Sequence, residues 1–93
     1  MSSDAGKRIE DLISRVALGN RTAFSELYDE TSSKLLAVCL RVLKDRSAAE
    51  DAVQEVYVKV WNAADKYQIT GHSPMTWLIT IARNTAIDRL RAG

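Results

Sequence analysis

Thr76, Thr80, Arg83, Asn84, Ile87 and Arg91 recur at i, i+4, i+7, i+8, i+11 and i+15. On a helix turning about 100° per residue these positions share one face. Two guanidiniums, an amide and two hydroxyls are groups that bond phosphate oxygens and base edges, and Trp77 beside them offers a flat surface for an unpaired base. Asp88 is the discordant neighbour, since a carboxylate near a phosphate track repels it. A second set, Asp51, Gln54, Glu55, Val58 and Asn62, falls within about a third of a helix circumference. There an apolar centre is ringed by acids and amides, the composition of a protein-binding patch. Pattern alone leaves a plainer reading open for both sets, because scattered surface apolars and solvated charged faces are ordinary.

Other chemistry has little to work with. The chain holds one histidine, His72, and one cysteine, Cys39, with no zinc-spaced ligand cluster and no glycine-rich phosphate loop. Hydrolase, metal and cofactor chemistry therefore have no visible apparatus, and no cofactor is expected. Cys39 lies between Val38 and Leu40 and reads as a small buried hydrophobe. His72 falls in a polar stretch, as a solvated loop residue or as one that contacts a base or senses pH.

The 93 residues suit one compact domain, 46% apolar and 27% charged, which is too apolar for a disordered chain. Four glycines and one proline leave little of it punctuated as turn, favouring long helices with short connections. Charged residues interrupt every hydrophobic run, so no membrane span is expected. The start has no apolar secretion segment, and a cytoplasmic location follows as the default, with residues 1–7 read as a polar tail. Net charge is only +1, yet its distribution is uneven. Residues 31–46 carry +3, residues 47–66 carry −2 and residues 73–93 carry +2, which suggests two kinds of partner surface.

Four helices are predicted to position these groups, as an all-α compact bundle with a short first helix and three longer ones. Ile9, Leu12, Ile13, Val16 and Ala17 mark the first, stopped by Gly19-Asn20. Phe24, Leu27, Tyr28, Thr31, Leu35, Val38, Cys39 and Val42 mark the second and central one, with Ser32-Ser33 as a weak spot. Ser47 and Glu50 read as a capping box opening the third helix, whose seam is Val53, Val56, Tyr57, Val60, Trp61 and Ala64. Residues 65–72 read as a loop. Ser73 as N-cap and Pro74 at the first helical position open the fourth, which runs to about Arg91 with Leu78, Ile81, Ala82, Thr85 and Ala86 inside.

The third helix, from Ala49 to Trp61, resembles the Asp-x-x-Gln-Glu-x-aromatic-x-x-x-Trp signature of extracytoplasmic-function sigma factors, members of the sigma-70 family, in their second conserved region. The fourth, Trp77 to Asn84 followed by Asp88 to Arg91, is similar to that family's Trp-Leu-x-x-Ile-Ala-Arg-Asn-x-x-x-Asp-x-x-Arg. Both strings occur in order, and the resemblance spans nearly the whole chain. It implies a sigma region 2-like domain over residues 1–93 that binds core RNA polymerase and recognises and melts the promoter −10 element, without catalysing a reaction. Asp51, Gln54 and Glu55 would then grip the clamp coiled coil of the polymerase's largest subunit, with Val58 as an apolar contact and Asn62 on the same face. The nontemplate strand would meet Lys66, Tyr67, Gln68, His72 and Ser73 in the loop, then Thr76, Trp77, Thr80, Arg83, Asn84 and Arg91. Pro74 stands where many members carry an aromatic residue. The resemblance further implies an anti-sigma factor as second partner, and a −35-reading helix-turn-helix that this chain does not contain. A helical adaptor that binds only protein is the alternative.

Overall fold

A computed structural model describes residues 4–67 and 73–92, with side chains from Gly6 onward. Its elements are α1 (Asp4–Ala17), α2 (Arg21–Leu43), α3 (Arg46–Ala63), a 3₁₀ turn (Ala64–Lys66) and α4 (Pro74–Ala92). The described residues are helical with short joints and include no strand. The four-helix architecture is the one expected, but several details of its joints are not.

Helix α1 begins at Asp4, so the segment expected as a tail is already helical from there. Ile9, Leu12, Ile13 and Val16 are buried, whereas Ala17, expected in the seam, is exposed. Gly19 then takes φ +84°, and its N–H donates to the Val16 carbonyl at 2.9 Å. An added Cβ there would meet nothing within 4 Å, so glycine is favoured by the backbone angle and not by crowding. Asn20 serves the next helix as well as ending this one. Its side chain accepts from the Ala23 N–H at 3.0 Å as the N-cap of α2.

Helix α2 runs unbroken through Ser32-Ser33. Propensity costs only tenths of a kcal/mol per serine, and tertiary packing along Leu27, Leu35 and Cys39 overrides it. Thr31 is buried and satisfies its own hydroxyl by donating to the Leu27 carbonyl at 2.7 Å. Its oxygen still has a lone pair, which the buried Tyr57 hydroxyl on α3 fills as donor.

The expected capping box is not formed. Lys44 ends α2 in the left-handed region at φ 56°, which swings Asp45 into extended backbone, and Asp45 caps α3 by accepting from the Ala48 N–H at 2.9 Å. Ser47 consequently lies inside the first turn, and Glu50 reaches Arg46 at 3.3 Å instead of a free backbone donor. Both Asp45 and Ser47 are competent caps by type, and the αL joint decides between them. At α4 the expectation holds, since the Ser73 hydroxyl accepts from the Met75 N–H at 3.2 Å with Pro74 at the first helical position.

Helix α2 packs against all three others, and α3 and α4 pack against each other. The expected seams of α3 and α4 are the inner faces, with Ile81 and Trp61 only partly buried. The interior also takes Ala23, Ala49 and Ala52, which the seam reading passed over; as small residues they let helices approach closely. Cys39 is fully buried, its Sγ 3.8 Å from the Ala82 carbonyl of α4, and burial pushes its thiol pKa up, which keeps it an inert part of the core.

Candidate functional site

Two outward surfaces emerge from this packing, on α3 and α4. On α3, Asp51, Gln54, Val58 and Asn62 are exposed, with Val58 at 60% the apolar centre. The side toward α2 is concave: a groove of about 510 Å³ runs between Tyr28, Ser32, Ser33 and Leu36 of α2 and Asp51 and Gln54 of α3. The serine pair that looked like a defect in α2 is thus a place where small side chains open space beside the patch. Nothing in a linear reading joins positions 28–36 to positions 51–54; only the helix pairing does.

Glu55 behaves differently from its companions. Its side chain is 40% exposed, and Oε1 accepts from Arg89 Nη1 of α4 at 2.7 Å while Oε2 lies 3.3 Å from Lys59 Nζ. The bond from Arg89, helped by Lys59, holds the Glu55 carboxyl below its ordinary range against a smaller opposing effect of burial. Lys59 also donates to Thr85 Oγ1 of α4 at 3.0 Å. At about 100° per residue Glu55 stands at the edge of the face nearest Lys59, on the opposite edge from Gln54. Arg89 and Lys59 are functional candidates that residue type alone did not reveal. Arg89 extends the Leu78-Ala82-Thr85-Ala86 stripe, where an apolar residue would be the ordinary choice, and that break in pattern was the available signal.

On α4, Thr76, Thr80, Arg83, Asn84 and Arg91 are all exposed on one side and Ile87 is half-buried among them. Thr80 returns its hydroxyl proton to the Thr76 carbonyl at 2.8 Å, keeping its oxygen as an acceptor. Among the described residues, Arg83 and Arg91 enter no ion pair, whereas Arg8, Arg15, Arg46, Lys59 and Arg89 each do. The α4 row thus carries two unpaired cations, although Arg21, Lys34, Arg41, Lys44 and Lys66 are likewise in no ion pair among the described residues. Lys66, at the end of the 3₁₀ turn, and Ser73 are exposed as well. Gln68 and His72 lie outside the described residues.

Tyr67 and Trp77 pack ring to ring, with centroids 5.1 Å apart and planes tilted by 54°. Both are half-buried, so together they form an aromatic shelf beside the α4 row. The Tyr67 hydroxyl is buried and makes no hydrogen bond of ordinary geometry; burial and the nearby Glu10 of α1 raise its pKa. This tyrosine is thus turned hydroxyl-first toward the bundle.

The +3 stretch of residues 31–46 does not join either surface. Lys34 and Arg41 lie about 140° to 160° around α2 from Cys39, the residue that touches α4. They form an exposed ridge on the far side of the helix. Charge balance along the chain foretold its sign but not its direction.

The family model described as Sigma-70 region 2 matches residues 27–93. The chain is 41% identical over 81 residues to "ECF RNA polymerase sigma factor SigK" of Mycobacterium ulcerans (strain Agy99), covering 87% of this chain and 43% of that protein. It is 37% identical over 91 residues to the protein of the same name from Mycobacterium bovis (strain BCG / Pasteur 1173P2), covering 98% of this chain and 46% of the other. The chain thus spans under half the length of these relatives. Among solved structures, the NMR complex of an engineered region 2 of sigmaE with GTAAAA is similar at a TM-score of 0.82 and 32% identity, over 90% of this chain and 86% of that one.

Proposed function

Because the chain belongs to the sigma-70 family, as a region 2 domain of the extracytoplasmic-function class, we propose that it acts in transcription initiation, holding core RNA polymerase through α3 and the opened −10 strand through α4. The observation that carries this reading is the sorting of charge. Acids and amides surround an exposed valine on α3, while the unpaired arginines of α4 line up beside an aromatic shelf. One structure similar to this one is a complex of a region 2 with GTAAAA, which supports a nucleic-acid-binding role.

Asp51, Gln54, Val58 and Asn62 form the polymerase-docking face, with Glu55 at its edge. Carboxylate and amide take charge-assisted bonds from basic side chains of the clamp coiled coil, and Val58 is covered by an apolar contact. The DNA face comprises Lys66, Tyr67, Gln68, His72, Ser73, Thr76, Trp77, Thr80, Arg83, Asn84 and Arg91. Duplex DNA hides its bases in the stack, so a surface that bonds extruded bases favours the open strand and draws the equilibrium toward melting. No covalent step is involved and no catalytic role is assigned. The site of action is cytoplasmic, where the polymerase is; no described helix is long and apolar enough to cross a membrane. An anti-sigma factor that covered both faces would keep the domain inactive.

Two measurements test the two faces separately. Gln54→Ala combined with Val58→Asp is expected to weaken capture of core polymerase while leaving helicity and single-strand binding unchanged; undiminished capture rejects the docking face. Titration with fluorescein-labelled GTAAAA, its scramble and a duplex of the same sequence is expected to show saturable, salt-sensitive binding that favours the single strand. No saturable signal would instead leave a protein-only adaptor.

A further inference from the structure

Helix α4 reaches from Pro74 to Ala92, but its buried anchors stop at Ala86. Leu78, Ala82, Thr85 and Ala86 are buried; beyond them Asp88, Leu90, Arg91 and Ala92 are exposed and Ile87 only half-buried. The last turn and a half therefore has almost no apolar hold on the bundle. Its one hydrogen bond or ion pair to another element, among the described residues, is that of Arg89 with Glu55 of α3 at 2.7 Å. Arg89 lies on the same stripe as Ala82 and Ala86 with its side chain 37% exposed, so the guanidinium sits at the edge of the core, partly covered and partly in solvent. Glu55 is fixed in turn by Lys59, which is held by Thr85 one turn before Arg89. The four residues make a closed polar clasp between α3 and α4.

We propose that Arg89 is a positioning residue: by clasping Glu55 it sets the angle at which the end of α4, and with it Arg91 and Arg83, is presented to a DNA strand. This rests on the reading of α4 as the single-strand surface. Arg89 faces the bundle while Arg83 and Arg91 face outward, so its effect on DNA runs through geometry and not through a phosphate of its own. The clasp also ties the end of the DNA helix to the docking helix, so a displacement of α3 is transmitted to the Arg91 end of α4.

Two neutral substitutions, Arg89→Gln and Glu55→Gln, separate positioning from charge. Binding of fluorescein-labelled GTAAAA is measured over a series of salt concentrations, with helicity and Tm recorded for each variant. Glu55→Gln removes a negative charge near a phosphate-binding row, so electrostatics alone would strengthen binding; loss of the clasp instead weakens it, by about fivefold, the scale of coupling through one contact network. Arg89→Gln is expected to weaken binding similarly with the salt slope unchanged, whereas loss of a direct phosphate contact reduces the slope by about 0.7. Arg89→Lys, which keeps a charged donor, is expected to recover most of the affinity. Stronger binding by Glu55→Gln, a reduced slope for Arg89→Gln, or no change in either overturns the proposal while leaving α4 as the DNA surface. If Arg89→Gln fails to fold, Glu55→Gln, which changes one charge and almost no volume, still decides by its sign. A wild-type chain that binds no single strand removes the α4 reading itself, and the clasp's role with it.

Discussion

Tyr57 shows how one hydroxyl links two helices and titrates with the fold. It is buried, donates to Thr31, and its pKa is pushed up to about 12, chiefly by burial. Because the folded state holds this proton more tightly than the unfolded chain, its contribution to stability is complete below about pH 10. It is lost as pH rises from there through 12. Alkaline melting is therefore expected to steepen over that window, and Tyr57→Phe to flatten it, as followed by helicity against pH. Thr31→Val strands the buried Tyr57 hydroxyl and is expected to cost about 1–3 kcal/mol in urea unfolding. The tyrosine's burial was legible from its place in the α3 seam. Its partner was not, since Thr31 is 26 residues away and only the helix pairing brings the two hydroxyls together.

At the level of elements, the start of α3 separates two readings of one short segment. Asp45 and Ser47 are both good caps by residue type, and the geometry selects Asp45 because Lys44 turns left-handed before it. Asp45→Ala is expected to lower stability by about 1 kcal/mol and Ser47→Ala to change it by far less, in paired denaturant melts. Elsewhere the helix spacing was read correctly along most of its length, since periods of three and four in α1, α3 and α4 record which side each helix turns inward. What such a period omits is alanine. Ala23, Ala49 and Ala52 are too small to mark a hydrophobic stripe, yet they are buried where helices come close.

Over the whole molecule, the two surfaces are distinguished by what remains unpaired. Lys66, Arg83 and Arg91 have no acid partner among the described residues, so three phosphates are within the capacity of the α4 side. Affinity for a single strand is then expected to fall with salt at a log–log slope of about −2. Asp51→Asn on α3 should leave that slope unaltered, and a changed slope would mean that the two faces do not act separately. The sequence by itself determined the helical class, the inner seams, the outward row of α4 and the family resemblance, because each depends on spacing within one helix or on a contiguous string. Tertiary structure alone decided that Glu55 is clasped by Arg89, that the serines of α2 open a groove beside Asp51 and Gln54, and that Lys34 and Arg41 of α2 point away from α4. Those facts depend on how separate helices are rotated against one another, and the rotation is set by the packing of the whole core.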